Sequence, residues 1–448
     1  MSSEGRQESI FGKIAGALAL VEPHERRAVL IAFFFHFFLL GTWFAVRPVR
    51  EVMGTVWGAD QIAQLWTGTF FGTLLVAPIF GFFASRVKLG KFLPWVYGII
   101  IASLLAFYFF FETARNDRYL AGAFYVWASV FNMLIISVFW SVMADFFSRT
   151  QSKRLFGILA AGGSVGAAIG PLMSAQLVRW VEVHDLLLIG CVGFALAIVL
   201  LLMLEKLKAE VAEAQADSQK TKLDHALGGG MLAGFKTLFS SPYLLLIAAF
   251  ITLITWVSTF LYVQQVDLIS KAFESREARL QAFAYLDAIV NVSTILLQVF
   301  GTSRLASRFG VTGMLIINPI VMIVAFTAIA FSPVLAVLLG VQFFRRVAEY
   351  AFTRPGREML WSPVDQETKY KAKNVIDTVV YRGGDLSSVW LENGLRAAGM
   401  TAGMIALVGV VIAAVWGLVA LMLGRRYERI VQVPAGDGSV AARPATAD

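Results

Sequence analysis

The sequence predicts an all-α integral membrane protein, with about twelve transmembrane helices arranged as two parallel six-helix bundles. Three observations predict it. Of the 448 residues, 58% are hydrophobic and only 15% are charged, well beyond the apolar content of a soluble domain. Apolar runs near the ~20 residues needed to cross hydrocarbon recur along the chain. Specific segments of the first half also return in the second at a nearly constant offset.

The runs lie at about 28–48, 62–84, 92–112, 119–147, 155–178, 185–204, 243–266, 280–300, 311–331, 333–353, 374–392 and 400–423. The eleventh is the most polar, carrying Asp377, Arg382 and Asp385. Residues 1–27 are polar or mildly amphipathic, without the long apolar core of a signal peptide, and read as a cytoplasmic segment. Residues 205–241, rich in Lys, Glu, Ala and Gln and containing Gly228-Gly229-Gly230, read as a cytoplasmic linker. The expected organisation is therefore a bundle over 28–204, the linker over 205–241, a bundle over 242–424 and a disordered cytoplasmic tail over 425–448.

Aromatic residues at 13% exclude a disordered chain, and the single Cys191 excludes internal disulfides and multi-cysteine metal sites. The net charge of +8 has a topological explanation. Counted by loop, 28 of the 38 Lys and Arg residues fall on one side of the predicted spans and nine on the other, with Arg382 inside a span. This bias puts both termini in the cytoplasm of a multi-pass inner-membrane protein and needs no nucleic acid partner. No P-loop, nucleophile elbow or metal-ligand cluster is visible, so the expectation is a non-enzyme without cofactor or metal, driven by gradients or exchange.

The repeats are specific. Trp140-Ser141, Asp145 and Lys153 return as Trp361-Ser362, Asp365 and Lys373, and Gly162-Gly163 returns as Gly383-Gly384, all at offsets of 220 or 221. F-F-A-S-R-V-K-L-G with Arg86 is echoed by R-L-A-S-R-F-G with Arg308. Two parallel six-helix repeats are the architecture of major-facilitator-type transporters. The loop after span two is similar to that superfamily's G-x-x-x-D-R-x-G loop, with Gly81 and Arg86 present and Ser85 in place of Asp. Gly166-Ala-Ala-Ile-Gly170-Pro171 in span five resembles its antiporter motif; with Gly162 it also forms a small-residue stripe, which close helix packing alone accounts for.

Ionisable groups inside spans are costly and ask for partners or a polar cavity. Arg47 and Arg50 share a face in V-R-P-V-R-E-V: either an anion clamp beside Pro48, or an interfacial pair with Arg50 held by Glu51. Arg345, Arg346 and Glu349 lie near the end of span ten; Arg346 and Glu349, at i,i+3, form a helix-surface ion pair, or the group faces a cavity. In span eleven Arg382 can reach Asp385 but not Asp377 by helical spacing, which favours a cavity-lining helix. Asp145 at a helix C-terminus needs a cation, with Lys153 or Arg154 close by. His36 reads as a packed, hydrogen-bonded histidine, and Asp287 and Asn291 share one face of span eight. The excess of Arg and Lys over acids at these places points to an anionic substrate, held by charge-assisted and bidentate hydrogen bonds.

The stretch from Tyr350 to Asp377, with Pro355, Glu358-Met359, Pro363, Asp365-Gln366-Glu367, Lys371, Lys373 and Ile376-Asp377, resembles the ATP/ADP translocase (nucleotide transporter) family of plastids and intracellular bacteria. V-R-P-V-R-E and W-S-V-M-A-D…K-R-L-F-G are similar to further segments of that family. The resemblance implies a divergent bacterial member, a carrier exchanging nucleotides or related phosphates. Arg50 would stand at a functional Lys, Asp145 at a Glu, and Lys371 or Lys373 at a C-terminal functional Lys. The sequence departs from the family at Tyr262, near an important Glu of span seven, and at Glu349, a position that is often basic.

The expectation is a monomeric secondary transporter, an ATP:ADP-type antiporter of a nucleotide or organic phosphate. Its expected substrate-binding residues are Arg47, Arg50, Asp145, Lys153, Arg346, Glu349, Lys371, Lys373, Asp377, Arg382 and Asp385. A proton-coupled carrier of another organic anion, and a non-transporting membrane sensor or scaffold, are the competing readings.

Overall fold

The computed structural model describes residues 21–84, 89–114, 117–147, 149–214 and 231–432. Every regular element among them is helical. In chain order these are α1 (Arg26–Trp57), α2 (Ile62–Ala84), α3 (Leu89–Thr113), α4 (Arg118–Phe146), α5 (Arg149–Leu177), α6 (Leu186–Ala214), α7 (Met231–Ser240), α8 (Pro242–Ala272), α9 (Arg276–Leu297), α10 (Ser303–Phe331), α11 (Leu335–Ala348), α12 (Arg354–Met359), α13 (Gln366–Val375), α14 (Tyr381–Ala397) and α15 (Ala402–Gln432).

Among the described residues nine helices are long and apolar enough to cross a bilayer. Three other helical stretches stand where spans four, ten and eleven are predicted: α4, the run α11–α12, and the run α13–α14. The last two are not single α-helices. A π turn over Glu349–Thr353 joins α11 to α12, and another over Ile376–Val380 joins α13 to α14. Each π turn inserts one residue into the helical repeat, which rotates the side chains beyond it. Both fall at charged positions, Glu349 and Asp377.

The helices exist because hydrocarbon leaves each backbone group only its own helix to bond with. This tolerates Pro48 in α1, Pro78 in α2, Pro94 in α3, Pro171 in α5 and Pro319 in α10. Large apolar side chains such as Phe71, Leu75, Phe110, Val324 and Val411 point outward. Trp95, Tyr119 and Trp180 stand exposed near helix ends, the position aromatic side chains take at a membrane interface. The aromatic runs at 33–35 and 107–111 divide the same way: Phe35 and Phe111 are buried, while Phe34, Phe109 and Phe110 are exposed.

The chain forms two compact units. The first draws on Met1–Met53, Gly72–Lys220 and Ser275–Ala288; the second draws on Gly54–Phe71, Thr221–Glu274 and Ile289–Asp448. In the first, α3 packs along α6, and α5 lies against α1 through the glycine stripe. A Cβ placed at Gly162, Gly166 or Gly170 would sit 2.4, 2.3 or 2.2 Å from the carbonyl oxygens of Phe33, Phe37 and Gly41. Gly163 makes room for the ring of His36, which stacks on Phe139 at 3.8 Å and has Nδ1 2.8 Å from the Leu159 carbonyl. The packed-histidine reading therefore holds.

In the second unit α8 packs against α14 and α15, α10 runs along α15, and α7 lies on α13. Gly384 repeats the part played by Gly163: a Cβ there would lie 2.2 Å from Oγ1 of Thr255 on α8. Gly163 presses on α1 and Gly384 on α8, and the two helices stand at equivalent places in the sequence repeat.

Candidate functional site

The first unit gathers the basic segment of α1 around two buried acids. Pro48 lacks an N–H, so it leaves one carbonyl of the helix without its usual donor and loosens the turn that carries Arg47 and Arg50. Arg47 Nε lies 3.5 Å from Oε1 of Glu51, and its Nη1 lies 3.1 Å from Oδ2 of Asp287 on α9. Arg50 donates to the same Glu51 oxygen through Nη2 and to Ser129 Oγ on α4 at 3.4 Å. Its guanidinium also lies over the Tyr125 ring, 5.1 Å from the centroid. Glu51 and Asp287 are each 3% exposed. Two guanidinium groups thus meet two carboxylates, a balanced buried network whose members cannot be removed singly without leaving an uncompensated charge.

The second unit carries a different balance. Arg345, at the end of α11, donates from Nη1 to Glu349 Oε2 and to Ser258 Oγ on α8, both at 2.8 Å. Its Nε donates to Gln342 Oε1 at 3.1 Å, and Gln342 passes the chain on to Gln265 of α8 at 2.6 Å. Sequence spacing pointed to Arg346 as the partner of Glu349; the structure brings Arg345 to it, one full turn away. Arg354 Nε lies 3.9 Å from the other Glu349 oxygen, and its guanidinium carbon sits 4.5 Å from the centroid of the Tyr350 ring. Arg346 faces the same ring at 6.0 Å.

On α14, Arg382 pairs with Asp385 at 3.5 Å, the i,i+3 contact expected from the sequence. Tyr381 is within electrostatic reach of Glu349, Arg354, Arg382 and Asp385, which ties the two helices into one cluster. Among the described residues this cluster sets four guanidinium groups against two carboxylates. Tyr125 and Ser129, which receive Arg50 in the first unit, precede Arg345 and Glu349 by the 220 residues of the repeat.

Nearer the α12–α13 turn, Lys373 Nζ donates to Glu358 at 2.5 Å, Arg357 lies 3.9 Å from the same carboxylate, and Asp377 is within reach of all three. This is a second, balanced group. Arg47 and Arg50 thus fall in one cluster, Arg346, Glu349, Arg382 and Asp385 in another, and Lys373 and Asp377 in a third. Asp145, Lys153 and Lys371 stand on helices whose backbone is described, but their side chains are outside the described ones, and Arg86 lies outside the described residues altogether. Asp287 was a candidate without a known partner, and the structure supplies Arg47. Ser258, Gln265, Gln342, Arg354 and Tyr381 were missed; the one visible signal was the Gln264-Gln265 pair inside an otherwise apolar helix.

Comparison with known proteins gives these clusters a setting. The sequence profile described as Major Facilitator Superfamily matches residues 29–352. The chain belongs to the Major Facilitator Superfamily. As a member it is a multi-pass membrane protein with a transporter fold. Two relatives are ADP,ATP carrier protein 1 of Chlamydia pneumoniae, 23% identical over 68% of this chain and 67% of its own length, and ADP,ATP carrier protein 2 of Chlamydia trachomatis serovar D, 22% identical over 95% of this chain and 93% of its own.

Solved superfamily folds superpose on the chain as well. A bacterial homologue of the iron transporter ferroportin gives a TM-score of 0.64 at 14% identity, over 90% of this chain and 98% of that one. The nucleoside transporter NupG gives 0.55 at 15% identity, over 92% of this chain and all of that one. At such identities the structures share the fold, which agrees with the architecture expected from the repeat.

Proposed function

We propose that this superfamily member is an alternating-access secondary transporter of an organic anion, exchanging nucleotides or related phosphorylated compounds. The observation that carries the reading is the arginine excess around Glu349 and Asp385 in the second unit. Arg345 and Arg346 are buried while Arg354 is exposed; such a surplus of guanidinium groups is stabilised by an anion that accepts charge-assisted hydrogen bonds, and phosphate oxygens match the planar fork of Arg. Arg345, Arg346, Arg354 and Arg382 would hold the phosphate. Glu349 and Asp385 would keep those cations paired when the substrate leaves, so that release does not strand them.

The likeness to two ADP,ATP carriers supports nucleotides as the phosphate class. The balanced groups of Arg47, Arg50, Glu51 and Asp287, and of Arg357, Glu358, Lys373 and Asp377, would exchange partners during the cycle rather than bind net charge. Asp145, Lys153 and Lys371 remain in the proposed site by sequence alone. The proposed organisation keeps the two bundles at 28–204 and 242–424, joined by a cytoplasmic linker, with both termini in the cytoplasm of an inner-membrane monomer.

A proton-coupled carrier of another organic anion is the second reading, favoured by Tyr262 standing where the resemblance expects an acid. Reconstituted proteoliposomes loaded with nucleotide decide between them. Exchange predicts uptake of labelled nucleotide that requires internal nucleotide and falls at least tenfold in Arg345→Ala. Uptake no greater than in protein-free vesicles removes the nucleotide reading, and uptake driven by an imposed pH gradient without internal substrate favours the second.

A further inference from the structure

The polar face of α14 does not stop at the arginine cluster. Ser388 and Glu392 follow Asp385 at spacings of three and seven, so the three residues lie on one side of the helix. Ser388 and Glu392 are both buried, and Glu392 is 1% exposed. One turn further, Arg396 donates from Nε and Nη2 to a single oxygen of Glu392, Oε1, at 3.0 and 2.9 Å. The other oxygen, Oε2, is buried and has no hydrogen-bond partner among the described residues. Glu392 lines a cleft with Ala59, Asp60, Val263, Asn393 and Arg396.

The charged groups that face Glu392 come from three elements. Asp60 stands in the 3-10 turn Ala59–Gln61 between α1 and α2, Asp267 lies near the end of α8, and Arg396 is on α14 itself. Asp267 is held by Lys271 at 2.8 Å. Among the described residues, three carboxylates therefore share two cations. The carboxylate with an unmatched oxygen is the one shielded from water. A buried carboxylate oxygen without a donor is costly, and gaining a proton removes the charge that makes it so.

We propose that Glu392 is a proton-binding site, loaded and emptied through the cleft beside Asp60. Water delivers the proton, an O–H bond forms at Oε2, and the carboxylate becomes a neutral acid while Arg396 keeps its charge. Release reverses the step and restores the ion pair. For a transporter this supplies the ion that moves with or against the anion. The proton site itself stands on the geometry of α14, and only its coupling role rests on the function proposed above.

Two measurements test these parts separately. Infrared difference spectra of the purified full-length protein across a pH step, without substrate, read protonation directly. Subtracting the Glu392→Gln difference spectrum from that of the wild type is expected to leave one carboxylic-acid carbonyl band, the component that belongs to Glu392. Losing the guanidinium in Arg396→Gln is expected to move the titration to higher pH, and losing a neighbouring anion in Asp60→Asn to lower pH. Identical difference spectra for the wild type and Glu392→Gln overturn the site. If Glu392→Gln does not fold, the two opposite shifts decide, and a titration that ignores both substitutions overturns it equally. In proteoliposomes loaded with nucleotide, an imposed pH gradient is expected to accelerate wild-type exchange, and Glu392→Gln to remove the acceleration. A wild type that titrates but transports at the same rate with or without the gradient overturns the coupling role. A wild type that titrates but moves no nucleotide tells against the proposed substrate and leaves the proton site standing.

Discussion

Arg345 makes hydrogen bonds to Glu349, Ser258 and Gln342 at once, and each of them limits what can replace it. Alanine would leave Glu349 without its nearest cation; breaking a buried pair from one side costs about 3–5 kcal/mol. We expect a large fall in the thermal midpoint of Arg345→Ala. Arg345→Lys keeps the charge but not the planar fork, so it should stay folded while nucleotide affinity drops on the order of tenfold, about 1.4 kcal/mol. Thermal unfolding and equilibrium binding on the same samples separate the two effects. In the first unit, a double-mutant cycle of Arg47→Gln with Asp287→Asn should show coupling of roughly 0.5–3 kcal/mol in unfolding stability, the range for contacting groups; additive effects would mean that the 3.1 Å contact contributes nothing. At this scale the sequence disclosed pairs within one helix, such as Arg50 with Glu51 and Arg382 with Asp385, because helical periodicity makes them neighbours. Arg47 and Asp287 are joined by tertiary packing, which no local spacing encodes.

The helix pair α1–α5 shows what a stripe of small residues does. Three glycines let α5 approach three backbone carbonyls of α1 more closely than any side chain would permit. Gly166→Ala should push the helices apart and cost on the order of 1–3 kcal/mol, as overpacking does. Gly157→Ala, on the same helix with nothing within 4 Å of its would-be Cβ, serves as the uncrowded control, expected to gain up to about 1 kcal/mol from helix propensity. Matched unfolding curves for both variants would sink the packing account. The stripe was plain in the sequence because its period of four is a helical one. The π turns of α11–α12 and α13–α14 were not, because a one-residue insertion leaves composition and polarity unchanged. Their effect is local: the rotation at Glu349 and at Asp377 sets which side of each span its charges occupy.

For the whole molecule, the duplicated architecture was readable from Trp, Asp, Lys and Gly pairs at one offset, and the matching packing of Gly163 and Gly384 supports it. The site was readable in part: the arginine surplus was, but the glutamine chain through Gln342 and Gln265 was not, since amides inside a span carry no charge to flag them. If the surplus holds a phosphate, nucleotides should raise the thermal midpoint and the corresponding nucleosides should not. At a hundred times its dissociation constant, a ligand stabilises the folded state by about 2.7 kcal/mol. Equal shifts from nucleotide and nucleoside would place recognition on the base and not on the arginines.

Because α1 and α5 touch backbone to backbone, they have no slack in which to part, and they form a single strut. Spin labels at Leu30 and Ile169, which both project outward, should therefore report one sharp, unvarying separation in every state of turnover, giving an internal ruler against which displacement of any other helix can be gauged.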